Sequence, residues 1–154
     1  MGCCCCKGSN GPDEFSKDLL AAHNRYRRKH GSPPLKWSAE AAAKAQEWAD
    51  HLASTGSLQH GNHDGMGQNL AYYSGGTLTA SYTAEMWYNE IKDYSFDRPG
   101  FSSSTGHFTQ LLWASSKEAG FGYTVRGQTT YVVANYLPAG NVQGRFEQNV
   151  KPAV

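Results

Sequence analysis

His60, Glu90 and His107 are the side chains of this sequence whose types best suit chemistry. An imidazole can carry protons or ligate a metal, but a lone histidine more often satisfies itself at the surface or in a core. The spacing of the three does not by itself bring them together. A second reactive group opens the chain, where Met1-Gly2 is followed by Cys3, Cys4, Cys5, Cys6 and Lys7. Removal of Met1 exposes the Gly2 amine for myristoylation, and the adjacent thiols can take palmitate. Cys6 stands where the usual Met-Gly-x-x-x-Ser/Thr pattern has its hydroxyl. One myristoyl chain holds a membrane only marginally, whereas a second acyl chain, at ~0.8 kcal/mol per buried CH₂, makes attachment lasting. These residues predict an acylated anchor and tether over 1–12, with Lys7 to Pro12 as the flexible part, ahead of a domain over 13–154.

The elements that must position such groups read as follows. Asp13 and Glu14, then Phe15, Leu19, Ala22 and Tyr26 at helical spacing, predict a helix over 13–30 that Gly31 stops. Its last turn carries Arg25, Arg27, Arg28 and Lys29, which complement a helix dipole and could equally meet anionic headgroups. Ser38 caps a second helix with Ala41, Ala45, Trp48 and Leu52 on one face and Gly56 as its stop. The glycine-rich stretch 57–76 reads as a long loop. A third helix is expected over 77–92, with Glu90 at its end, and a fourth over 106–114, with His107 at its start. Alternation in Phe121, Tyr123, Val125 and again from Thr129 to Leu137, around Gly127, predicts a β-hairpin. The expected class is α+β, helices covering a small antiparallel sheet.

Composition narrows the function classes. The chain has 154 residues, with 14 Lys+Arg against 13 Asp+Glu and a net charge of +1, so no global field favours nucleic acid. Hydrophobic residues at 39% and aromatics at 12% suit one folded domain. The apolar runs fall short of the ~20 residues a membrane-spanning helix needs. All 4 cysteines lie in Cys3–Cys6, which leaves the rest of the chain without a disulfide and suits a reducing compartment. With no apolar leader and no Asn-x-Ser/Thr acceptor, the expectation is a protein that is not secreted. Tyr94, Phe96 and Phe101 have the spacing aromatic-x-aromatic-x-x-x-x-aromatic, a pattern that resembles a caveolin-binding motif, although such rings also simply pack loops onto domains.

The phrase Gly106-His107-Phe108-Thr109-Gln110-Leu111-Leu112-Trp113 resembles the first signature of the CAP superfamily, which groups cysteine-rich secretory, antigen 5 and pathogenesis-related 1 proteins. Tyr131 to Asn141 resembles the second signature, with Ala134 where secreted members usually carry cysteine. Ala22-His23-Asn24-Arg25-Tyr26-Arg27, Gly67-Gln68-Asn69-Leu70-Ala71 and Trp87-Tyr88-Asn89-Glu90 add three further matches, so the resemblance runs in order over about 15–150. The cysteine-free, acylated design is most similar to the family's Golgi-associated lineage.

The resemblance implies a three-layer α-β-α sandwich with a cleft lined by two histidines and two acidic residues, where zinc has been found. Carried over, the histidines are His60 and His107 and one acid is Glu90, while the other acidic position is Gln68. An amide lends no negative charge to a cation and cannot act as a general base. Two neutral imidazoles would still bind zinc weakly with water, Glu90 orienting one of them. The family also implies a homodimer, and the Tyr94, Phe96 and Phe101 loop is implicated in sterol binding in some relatives. The expectation is therefore a membrane-anchored lipid-binding or scaffold module on the cytoplasmic face of the Golgi or other endomembranes. Its expected partners are anionic lipids, possible sterol and a caveolin-like protein. The alternative is a metal-dependent or serine hydrolase that uses His60, His107 and Glu90 with Ser74, although no Gly-x-Ser-x-Gly elbow accompanies Ser74.

Overall fold

Three side-chain caps set where the long helices begin. In the computed structural model, which describes residues 11–61 and 63–154, the Asp13 carboxylate accepts from the Ser16 N–H at 2.9 Å and starts α1, Glu14–Lys29. Ser38 accepts from the Ala41 N–H at 3.1 Å and starts α2, Ala39–Thr55, which ends on Gly56 at φ +69°. Thr79 caps α3, Ala80–Tyr88, through the Tyr82 N–H at 3.1 Å. This helix is shorter than the expected 77–92. Its start is fixed by the Thr79 hydroxyl, and at its far end the chain tightens into a 3₁₀ turn, Asn89–Asp93, which carries Glu90. The remaining helices are α4, Gly106–Leu112, and α5, Phe146–Asn149.

The sheet has four strands in the order β1-β3-β4-β2. The expected hairpin is β3, Glu118–Arg126, with β4, Thr129–Leu137, turning at Gly127 with φ +62°. β2, Gly67–Ser74, pairs antiparallel with β4. It lies inside the stretch expected to be a loop. The two-residue β1, Lys36–Trp37, runs parallel to β3, so the sheet is mixed and not purely antiparallel.

Helices cover both faces, which is the expected α-β-α sandwich. β4 shows the division, because successive side chains on a strand point to opposite faces. Tyr131 and Val133 join Ala45, Ala49, Leu52 and Leu70 beneath α2. Val132, Ala134 and Tyr136 join Leu19, Trp87, Phe108 and Phe121 beneath α1, α3 and α4. Ala134, where the resemblance implies a cysteine in secreted members, is fully buried. Gly120 and Gly122 let α2 ride directly on β3: a Cβ at Gly120 would stand 2.1 Å from the Ala42 nitrogen, and one at Gly122 would stand 2.4 Å from the Gln46 backbone.

Arg27 corrects an expectation. It was read with Arg25, Arg28 and Lys29 as a lipid contact, yet its side chain is fully buried while the other three are exposed. Leu19, His23 and Arg27 recur every four residues and all face the core. The guanidinium donates to the carbonyls of Pro33 at 2.8 Å, Leu111 at 3.0 Å, Trp113 at 2.9 Å and Ser116 at 2.9 Å. Burial lowers its pKa to about 10, so it remains a cation at neutral pH. The C-terminal segment is tied down by the Val154 N–H, which donates to Lys29 O at 2.8 Å, and by His30, whose Nδ1 lies 2.7 Å from Lys151 O.

Candidate functional site

His107 sits in the first turn of α4, and Glu90 reaches it from the 3₁₀ turn. One Glu90 oxygen lies 2.8 Å from His107 Nδ1, and the other accepts the Phe108 N–H at 2.9 Å. The carboxylate is held at two points and fixes the ring so that Nδ1 carries the proton and Nε2 presents its lone pair. Trp87 stacks on the ring at 6.2 Å and 12°, and the Trp87 indole N–H is anchored on Leu70 O at 3.1 Å.

His60 is fixed in the same manner by an amide. Gln68 Oε1 lies 3.0 Å from His60 Nδ1 and accepts the Gly61 N–H at 3.2 Å, while Gln68 Nε2 donates to Asn135 Oδ1 at 3.0 Å. The Gly61 N–H requires an acceptor, which places the amide oxygen on this side and makes His60 Nδ1 a donor. His60 Nε2 is thereby also left with its lone pair. Both histidines, with Gln68, Asn69, Phe101, Ser103, Gly106 and Asn141, line an open cavity of about 190 Å³. Asn69 donates to His107 O at 3.0 Å, and Asn141, at φ +57°, donates to Gly106 O at 2.9 Å and accepts from the Thr109 hydroxyl at 2.6 Å.

The structure thus gathers His60, Gln68, Glu90 and His107 at one place. Two imidazole nitrogens, one on each ring, keep their lone pairs beside the cavity, and a carboxylate orients the His107 ring while an amide orients His60. Among the described residues no group of three or more His, Cys, Asp or Glu side chains is placed to hold a metal ion. Asn69, Asn135 and Asn141 were not singled out from the sequence, although all three fall within phrases that carried the resemblance.

Ser74 does not belong to this site. It lies six positions along β2 from Gln68, about 20 Å at ~3.3 Å per residue of strand. Its hydroxyl lies 3.2 Å from that of Thr129, with no imidazole as its partner. Within one chain, the hydrolase alternative built on Ser74 lacks its base. The aromatic motif is also divided. Tyr94 and Phe96 are half-buried against Phe108, with ring centroids 5.5 and 6.5 Å away, so they pack the loop onto the domain. Phe101 alone projects, 64% exposed at the rim of the cavity. Gly2 and Cys3–Cys6 lie outside the described residues, and among those described no helix is long and apolar enough to cross a membrane.

The profile of the CAP family, described as the cysteine-rich secretory protein family, matches residues 20–136, most of the chain. The chain belongs to the CAP superfamily. Golgi-associated plant pathogenesis-related protein 1 of Homo sapiens is 44% identical to this CAP protein over 151 residues, 94% of this chain and 97% of its own. Secreted protein RBT4 of Candida albicans is 40% identical over 138 residues, 85% of this chain and 37% of its own. Among solved structures, NaASP2, determined with Zn²⁺, superposes at a TM-score of 0.71 with 20% identity over 93% of this chain and 90% of its own, a likeness of fold alone. The matched span 20–136 contains His60, Gln68, Glu90 and His107.

Proposed function

We propose that this CAP protein is a membrane-attached module of the cytoplasmic face of the Golgi or other endomembranes, held there by acylation of Gly2 and of thiols among Cys3–Cys6. The observation that carries the reading is the 44% identity, over nearly the whole of both chains, to a relative named for its Golgi association. The confinement of all 4 cysteines to the first six residues supports it, because a secreted relative's disulfides have no counterpart here. Exposed Arg25, Arg28 and Lys29 would add contact with anionic lipid, each worth about 1 kcal/mol near such a surface. Phe101 is the ring of the aromatic motif best placed to meet a sterol or a protein partner.

The cleft would bind a divalent cation weakly through His60 and His107. Zinc is the ion named with the NaASP2 structure and suits two neutral imidazoles with water. When bound, such an ion supplies Lewis acidity. Glu90 and Gln68 hold the two imidazole tautomers that receive it. Self-association is a further part of the reading, checked by sedimentation: only monomer at tens of micromolar would remove it.

Metabolic labelling with myristate and palmitate analogues, beside fractionation of wild type, Gly2→Ala and a Cys3–Cys6 serine variant, tests the anchor. Labelled wild type should pellet with endomembranes, Gly2→Ala should lose the myristate label and the serine variant the palmitate label, and both should shift toward the supernatant. Wild-type protein that stays unlabelled and in the supernatant would overturn the reading.

A further inference from the structure

A groove of about 350 Å³ lies where the described chain begins, bordered by Gly11, Trp37, Ala39, Ala42, Ala43 and Phe121. Its helical wall comes from α2, where residues 39, 42, 43 and 46 fall at i, i+3, i+4 and i+7 and so share one face. A second alanine face, Ala41, Ala45 and Ala49, is buried against the sheet. The helix therefore turns methyl groups to the groove as well as to the core. The opposite side is aromatic, with Trp37 and Phe121 set edge to face at 5.7 Å. Asp13 and Ser16 stand at one end, the Asp13 carboxylate already engaged with the Ser16 N–H.

The methyl groups of Ala39, Ala42 and Ala43 and the rings of Trp37 and Phe121, with Asp13, Ser16 and Gln46 as the polar members of the lining, suit a narrow, flexible, largely apolar occupant such as an alkyl chain. On the acylation reading, this protein carries one of its own. Gly11 is itself part of the lining, and the segment Gly2–Cys6 precedes it in the sequence. Gly2 is nine residues upstream and Cys6 five, within about 30 Å of fully extended chain and close enough to turn back. We infer that the groove receives an acyl chain carried by the segment Gly2–Cys6 and shelters it against the domain when the protein is off the membrane. The inference rests on the acylation reading above. A single myristoyl chain binds membrane with an association constant of only about 10⁴ M⁻¹. A tethered chain meets its own groove at an effective concentration in the millimolar range, so modest affinity suffices to compete. Addition of a second chain would then tip the balance to the bilayer.

The test uses the full chain with Cys4, Cys5 and Cys6 replaced by Ser and a tetradecyl maleimide coupled to Cys3. No other thiol exists in the sequence, so the alkyl chain has one address whether or not cells acylate the protein. Backbone amide resonances of Ala39, Ala42, Ala43 and Gln46 should move on coupling. Ala43→Trp, made at an exposed position, should fill the groove and raise partition of the alkylated protein into phosphatidylcholine vesicles about three- to tenfold, with no change for unalkylated protein. Ala39→Phe should act in the same direction. Unmoved resonances on α2, or equal partition of parent and both variants, would overturn the inference. Shifts that fade on dilution would put the chain of a second copy in the groove, and that also overturns it. Absence of label in the cellular experiment would end the anchor reading alone, since the coupled chain tests the groove independently.

Discussion

At the scale of single residues, the amide of Gln68 decides the chemistry available to His60. Gln68 fixes the imidazole as well as a carboxylate would but contributes no charge. Gln68→Glu should tighten zinc binding by one to two decades, about 1.4 kcal/mol for each tenfold. His107→Ala should abolish it, and calorimetric titration of the three proteins reads both outcomes. Binding should weaken on acidification, because coordination needs neutral rings. A different histidine should govern stability. His23 is fully buried, with Nδ1 2.8 Å from Leu19 O and Nε2 2.6 Å from the Tyr136 hydroxyl, which Asn69 approaches at 3.3 Å. Burial lowers its pKa to about 4, against about 6.5 in an unfolded chain. Between those values the unfolded state binds a proton that the folded state refuses, so stability is complete above about pH 6.5 and falls as pH drops toward 4. His30, also lowered chiefly by burial, adds in the same direction. Urea unfolding should show a loss of about 2 kcal/mol or more between pH 7 and pH 5, and His23→Gln should flatten that slope.

At the scale of elements, Arg27 joins the end of α1 to the end of α4 and the approach to β3. Its three nitrogens serve four carbonyls, an arrangement that a planar fork can satisfy and a single ammonium cannot. Arg27→Lys should cost about 3 kcal/mol in chemical denaturation, since buried carbonyls lose charge-assisted partners. The same residue shows where sequence reading went astray. A basic last turn looked like a complement to the helix dipole, and the four-residue recurrence of Leu19, His23 and Arg27 that marks an inward face was outweighed by charge. The helices were legible because Ser38, Gly56 and the alanine spacing act locally. β2 was not, because Gly65, Gly67, Gly75 and Gly76 look like loop residues and the strand takes its partner from Thr129–Leu137, far along the chain. The cleft was legible only through family phrases: nothing in the spacing of His60, Glu90 and His107 tells that a 3₁₀ turn aims Glu90 at the start of α4.

At the scale of the whole molecule, a net charge of +1 leaves attraction to membranes to local clusters. Protein lacking acylation should bind anionic vesicles through Arg25, Arg28 and Lys29, and that binding should fade as salt rises, because exposed charges are screened over about 8 Å at physiological ionic strength. Vesicle flotation at two salt concentrations, with a triple alanine variant as control, measures it; binding indifferent to salt would remove these side chains from the contact. The guanidinium clamp of Arg27 has a wider consequence. It ties three segments together without sulfur, in a domain whose described residues include no cysteine. On the proposed acylation, thioesters would be written and erased at Cys3–Cys6 without touching the fold, which stays blind to the redox poise around it, and the thermal midpoint should read the same in reductant as in air.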